Sequence, residues 1–308
     1  MLRSIYQPQN VYCIHVDNSS ASSFKTAIEK LVGCFDNVFI ASKLESVEWG
    51  NLTAVLADMN CMEDLLRHPV QWKYVLNLCG MDFPLKTNLE MVRQLRAYNG
   101  HNCIEAYVET RFPNRTMYSN VTGELKAPAP HNITVYKGDT YIAATRGFTN
   151  FFMNNPVAKD HLEWLKDTQI PDEYFTSTLN KLPYAPGGNP YLGLDCNVRY
   201  RRWGHKFKFP ERPRCVGKVV HKLCVFGAGY LQYFHRSYHL FANKFHYDYD
   251  PITMQCLQDM LDYRTKHSEE FGAWKYHNFP VTNYTWENYS SATYVPGLPA
   301  IDLKPWYR

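Results

Sequence analysis

The apolar and polar positions alternate in blocks. Val11 to Val16 (VYCIHV) reads as a buried strand ending at Asp17. Ser22 or Ser23 then caps a helix reaching about Leu31, and Val38 to Ala41 forms a second strand. Over 52–67 the apolar residues Leu52, Val55, Met59, Met62, Leu65 and Leu66 recur at helical spacing. Tyr74 to Leu78 is a third strand and Asn88 to Tyr98 the next helix. Strands and helices alternating at this spacing predict an α/β fold, a mostly parallel Rossmann-like sheet flanked by helices.

Beyond Asn102 the pattern loosens. Residues 110–140, rich in Thr, Asn, Pro and Gly, read as hairpins and loops, and Tyr141 to Thr145 as a strand. Helices are predicted near 147–154, 157–167 and 172–180, followed by a long loop over 182–196 of the sort that often carries function. Val219 to Phe226 is one apolar run, and Pro251 opens a last helix to about Tyr263. Residues 269–308 are aromatic and Pro-containing without periodicity. The expected organisation is a catalytic domain over 1–268, with a nucleotide part near 1–100 and an acceptor part near 101–268, and a tail over 269–308.

With 308 residues the chain is long enough for one large α/β domain. The net charge of +4 is small and unclustered, which argues against a nucleic-acid partner. No apolar run is long enough to span a bilayer, and the first residues are too polar for a signal peptide. Yet Asn18, Asn51, Asn114, Asn120, Asn132, Asn283 and Asn288 all stand in N-x-Ser/Thr, which points to a lumenal or secreted protein. The nine cysteines include no C-x-x-C pair, so zinc-ligand spacing is absent, and an odd count leaves at least one thiol free.

Tyr74 to Asn88, YVLNLCGMDFPLKTN, ends an apolar strand in Cys79-Gly80 and delivers the carboxylate of Asp82 to a sheet edge. In open α/β sheets that edge is where ligands bind. Pro171-Asp172-Glu173 opens a helix, where acids suit the positive dipole end and a carboxylate is held rigidly. Lys244 lies between aromatics in HLFANKF, Arg199 to His205 is Arg-rich, and Asp248-Tyr249-Asp250 has the D-x-D form of many metal sites. Asp250 before Pro251 also suits an N-cap, which is the reading preferred here. Asp17 fits an Asx turn as well as a nucleotide contact.

The YVLNLCGMDFPLKTN stretch closely resembles a segment of the Golgi β-1,6-N-acetylglucosaminyltransferases, the core 2 mucin-branching enzymes of glycosyltransferase family 14. The likeness covers roughly residues 1–265 and implies a GT-A-like fold whose first strand, stem and membrane anchor precede the chain as given. It implies UDP-GlcNAc as donor, an O-glycan or glycoprotein acceptor, inverting β-1,6 transfer to GalNAc or Gal, no cofactor, no metal, and residence in the Golgi lumen. Glu173 falls on the family's catalytic glutamate. Lys244 falls on a lysine that contacts the diphosphate of the donor.

The same resemblance makes Asp17, Asn18, Ser19, Trp49 and Asp82 donor contacts. It makes Glu105, Arg111, Trp203 and His205 acceptor contacts. It pairs Cys13 with Cys61 and Cys215 with Cys224, and leaves Cys34 and Cys256 without their family partners.

Three departures qualify this. His221, followed by Lys222, replaces a family arginine at the diphosphate, so that either Lys222 substitutes or phosphate binding weakens. Tyr230 replaces an acid, and His205 replaces an acceptor-binding tyrosine. A xylosyltransferase-like activity, or a catalytically impaired sugar- or partner-binding remnant, are the alternatives these departures leave.

Overall fold

Helix and strand alternate as the hydrophobic pattern requires, but the strands are short and are shared among several small sheets. The computed structural model describes residues 1–110, 112–189, 196, 198–204 and 215–268. Arg111, His205 and the 269–308 tail lie outside the described residues. After a turn of helix α1 (Leu2–Ile5) come β1 (Tyr12–Ile14), α2 (Ser22–Val32), β2 (Val38–Ile40) and α3 (Thr53–Arg67). The chain continues through β3 (Tyr74–Leu76), β4 (Asp82–Pro84), α4 (Asn88–Ala97) and the short α5 (Asn114–Met117). Then follow β5 (Ala143–Thr145), α6 (Arg146–Asn154), α7 (Pro156–Trp164) and α8 (Phe175–Leu179). The last described elements are β6 (Arg199–Arg201), β7 (Lys218–Val220), β8 (Leu223–Val225), α9 (Leu231–Arg236), β9 (Phe241–Asn243) and α10 (Pro251–Lys266).

The mixed α/β class is as expected. The pairing is more antiparallel than the alternation implies. β1 pairs parallel with β2, and β6 parallel with β9. β3 pairs antiparallel with β5, β4 with β9, and β7 with β8. The cause lies at the end of β3. The Asp82 amide donates to the Cys79 carbonyl and the Cys79 amide to the Asp82 carboxylate, a tight reversal that sends β4 into a different sheet from β3.

The apolar stretch from Val219 to Phe226 carries most of the β7–β8 hairpin. His221 and Lys222 take φ of 49° and 69° at its tip, the two left-handed residues that a two-residue hairpin turn needs. Gly217 closes the hairpin's base, because a Cβ there would stand 2.0 Å from the Val225 carbonyl oxygen.

The two larger of four apolar clusters among the described residues hold most of these pieces. One gathers Val55, Met62 and Leu65 of α3, Ala144 of β5, Phe148 and Phe152 of α6, and Phe175 and Leu179 of α8. The other gathers Phe83, Tyr200, Phe226, Tyr230, Phe234, Phe245 and Leu257. Tyr230, where the resembling enzymes carry an acid, is a fully buried member of the second cluster, its ring 4.7 Å from that of Phe226. Disulfides Cys13–Cys61 and Cys215–Cys224 form as the resemblance implies, and a third, Cys103–Cys196, was not anticipated. Cys34, Cys79 and Cys256 are free thiols.

Candidate active site

Glu173 is held from several directions. Ile170 adopts a left-handed conformation, Pro171 opens a 3-10 turn over Pro171–Glu173, and the Ile170 amide donates to the Gly50 carbonyl at 2.9 Å. That bond ties the turn to the Trp49–Gly50 segment of the expected nucleotide part. The Gly138 amide donates to the Glu173 carbonyl at 2.7 Å. Only glycine fits at 138, since a Cβ would come within 1.8 Å of the Glu105 carbonyl oxygen.

The Glu173 carboxylate itself meets two cations. Arg115 Nη1 stands 2.9 Å and Lys137 Nζ 3.0 Å from Oε2. Lys137 also donates to the Tyr107 hydroxyl at 3.0 Å. Burial depresses the Lys137 ammonium, but the charge of Glu173 and the Tyr107 hydroxyl outweigh it and push its pKa up. Arg201 extends the network. It pairs with Asp139 at 2.6 Å, and the fields of Asp139, Glu105 and Glu173 raise its pKa against the cost of burial. Glu105, the expected acceptor residue, and Glu173 thus both act electrostatically on the Arg201 guanidinium.

Behind this turn, Asp58 and Asp172 line a small cavity with Asn77, Thr140 and Thr176. Asn77 Nδ2 donates to Asp58 Oδ2 at 2.7 Å and to the Thr140 carbonyl at 2.8 Å. Burial pushes both carboxyls up to about 6, each helped by a neighbouring acid: Asp172 for Asp58, chiefly Glu173 for Asp172.

The three-stranded sheet β4–β9–β6 carries Asp82, Asn243 and Arg201. Its register sets Asp82 opposite Asn243, and Asn243 opposite Arg201. Lys244 follows directly, buried at 7% exposure, and forms no ion pair among the described residues. A buried ammonium without a carboxylate is costly unless an anion completes it. Asp82 is not the exposed ligand-edge carboxylate the sequence suggested. It pairs with Arg199 at 2.8 Å, both side chains wholly enclosed, and accepts from the Cys79 amide and Asn243 Nδ2. Its electrostatic demand is met inside the protein, where it braces the sheet.

His221 and Lys222 are also placed differently from expectation. They sit exposed at the hairpin tip, where the Gly204 amide donates to the Lys222 carbonyl and Trp203 bridges to Leu223. The contact with Lys244 is made by the Phe226 amide, four residues along β8, a reach of about 13 Å in extended chain. The described residues do not bring His221 or Lys222 to Lys244. Trp203 remains 43% exposed beside the hairpin.

In the loop after β1, Asp17 forms the Asx turn, accepting from the Ser19 amide at 2.7 Å and the Val47 amide at 2.9 Å. The Ser19 hydroxyl and these amides hold its carboxyl below the usual range. The Asn18 amide donates to the Glu45 carbonyl, and Trp49 is almost fully exposed. This loop is therefore an open surface. Asp250 caps α10, with Oδ1 accepting from the Thr253 amide and Oδ2 from the Ala228 amide and the Thr253 hydroxyl. The cap reading of D-x-D holds.

Arg115, Lys137 and Asp139 escaped the sequence reading, and Arg199 and Arg201 stood out only as part of an Arg-rich run. One signal was present. In a strand, residues 199 and 201 share a face, and two arginines flanking a core Tyr200 ask for acidic partners. Nothing local marked Lys137 or Arg115, whose partner lies far along the chain.

A family model described as Branch, Core-2/I-Branching enzyme, matches residues 1–232. The human N-acetyllactosaminide β-1,6-N-acetylglucosaminyl-transferase is 41% identical over 283 residues, covering 88% of this chain and 70% of the relative. The Danio rerio β-1,3-galactosyl-O-glycosyl-glycoprotein β-1,6-N-acetylglucosaminyltransferase 4 is 40% identical over 284 residues, covering 85% of this chain and 66% of the relative. The human β-1,3-galactosyl-O-glycosyl-glycoprotein β-1,6-N-acetylglucosaminyltransferase 3 is likewise 40% identical, over 88% and 66% of the two chains. The chain thus spans about two thirds of the length of these relatives.

Proposed function

This chain belongs to the core-2/I-branching enzyme family of glycosyltransferases, and on that premise we propose the following reaction. N-acetylglucosamine is transferred from UDP-GlcNAc, with inversion and without a metal ion, in β-1,6 linkage to a galactose or N-acetylgalactosamine of a mucin-type O-glycan. Glu173 takes the proton of the acceptor 6-hydroxyl as that oxygen attacks the anomeric carbon. The bond from the anomeric carbon to the diphosphate breaks on the opposite face through an oxocarbenium-like state. Lys244 receives the negative charge that develops on the leaving UDP. Glu105 and Trp203 line the acceptor side, and the Asp17–Ser19 loop with Trp49 the nucleotide side.

The observation that carries this reading is the pairing of opposite needs across one sheet. Lys244 is a buried cation that forms no ion pair among the described residues, one residue beyond the row that holds Arg201. Arg201 in turn lies in the field of Glu173 and Glu105. An anionic donor and a hydroxyl acceptor complete those two ends. The disulfides and sequons support a lumenal compartment, which we take to be the Golgi. Among the described residues no helix is long and apolar enough to cross a membrane.

Purified protein is incubated with labelled UDP-GlcNAc, a core 1 disaccharide and excess chelator. Transfer by the wild type and a loss of at least about 100-fold in Glu173→Gln are expected. Transfer undiminished in Glu173→Gln would remove the base from this assignment, and dependence on manganese would remove the metal-free route. One observation favours the impaired alternative: His221 and Lys222 stand away from Lys244. Titration calorimetry with UDP decides this. Undetectable binding together with absent transfer favours the remnant.

A further inference from the structure

We propose that Lys137 is a positioning residue for the general base, fixing the Glu173 carboxylate so that a single oxygen is left for the acceptor proton. The proposal rests on the reading of Glu173 as that base. Both cations meet Glu173 on Oε2, and among the described residues neither contact is made to Oε1. A carboxylate with one oxygen saturated by two charged donors has one direction left in which to accept a proton.

Lys137 is the more rigid of the two partners. Its backbone exchanges hydrogen bonds with Tyr107 at 2.7 and 2.9 Å, its ammonium donates to the Tyr107 hydroxyl, and it lies over the Tyr107 ring. The next residue, Gly138, donates its amide to the Glu173 carbonyl. One dipeptide therefore grips Glu173 by main chain and side chain together. Arg115 comes from the short α5, in a loop that also exposes Phe112 and Met117. With Arg115 alone the flexible glutamate side chain retains rotamers that point Oε1 elsewhere. The Lys137–Glu173 pair is also no surface ion pair, with side-chain exposures of 11% and 18%. Geometry held to this degree is where rate is gained, since small misplacements of a reacting group cost up to about 100-fold.

The test compares wild type, Lys137→Met, Lys137→Arg, Tyr107→Phe and Glu173→Gln by initial rates and thermal melting. Lys137→Met is expected to lower kcat about 10- to 100-fold with the donor KM within about twofold. Lys137→Arg should recover most of the loss, because it restores a donor to Oε2. Tyr107→Phe, at a half-exposed ring, should fold as wild type and lower kcat by a smaller factor. A Lys137→Met kcat equal to or above wild type, while Glu173→Gln is inactive, overturns the proposal and leaves the functional reading intact. So does a loss that tracks the melting temperature and is not rescued by arginine. If Lys137→Met fails to fold, a wild-type kcat in Tyr107→Phe overturns it alone. An inactive wild type, or an active Glu173→Gln, overturns the functional reading and this inference with it.

Discussion

Asp82 shows how surroundings decide what a side chain does. Burial pushes its carboxyl up, and the Arg199 guanidinium, the Cys79 amide and Asn243 push it back. Arg199 also donates to the Asn77 carbonyl and lies 4.1 Å from the centre of the Tyr141 ring. Both charges are enclosed, so neither is replaced by water when its partner goes. Arg199→Met is therefore expected to cost about 3–5 kcal/mol, and Asp82→Asn with Arg199→Met together less than the sum of the two. Urea unfolding of the oxidised proteins checks this, and a loss below about 1 kcal/mol would show the pair to be expendable. The strand-end position of Asp82 was legible from its neighbours in sequence. Its partner was not, because residue 199 meets it only through the β4–β9–β6 register.

Elements were legible in proportion to their periodicity. The helices at Ser22–Val32, Thr53–Arg67 and Asn88–Ala97 lie within a residue or two of their expected bounds, since the 3.6-residue repeat has room to declare itself. Three-residue strands leave no such room. The β7–β8 hairpin showed only as an apolar stretch because its turn is His221-Lys222, without the Asn or Gly that marks such turns. The start of α10 was legible for a chemical reason, an Asp directly before Pro. Asp250→Ala is expected to cost about 1–2 kcal/mol, whereas Asp250→Asn, which keeps an accepting oxygen, costs little. Transfer should persist in Asp250→Asn under chelator. Loss of transfer in that variant at unchanged stability would return D-x-D to a ligand role.

At the scale of the whole molecule, the burial of ionisable groups sets the response to pH. His161 is fully buried, stacked with Trp164 and Phe175, and burial pushes it down to about 4. Its folded pKa lies below the unfolded value near 6.5. The stability it contributes is complete above 6.5 and is lost as pH falls towards about 4. Asp58 and Asp172 act in the opposite sense. Their folded values near 6 lie above the unfolded carboxylate range. Protonation there stabilises the fold at low pH, and that contribution is lost as pH rises through about 6. Between pH 6.5 and 4 the two effects oppose each other, and the two carboxyls together outweigh the single imidazole. Asp58→Asn removes one ionisable member and keeps an oxygen for Asn77. It should raise stability by about 1–3 kcal/mol at pH 7.5, where the wild type carries a desolvated charge. The gain should shrink towards zero by pH 4, because in the variant Asp172 alone is left to offset His161. Urea midpoints at pH 7.5, 6, 5 and 4 measure this, and a difference that stays constant across the series would show that Asp58 does not titrate in this range.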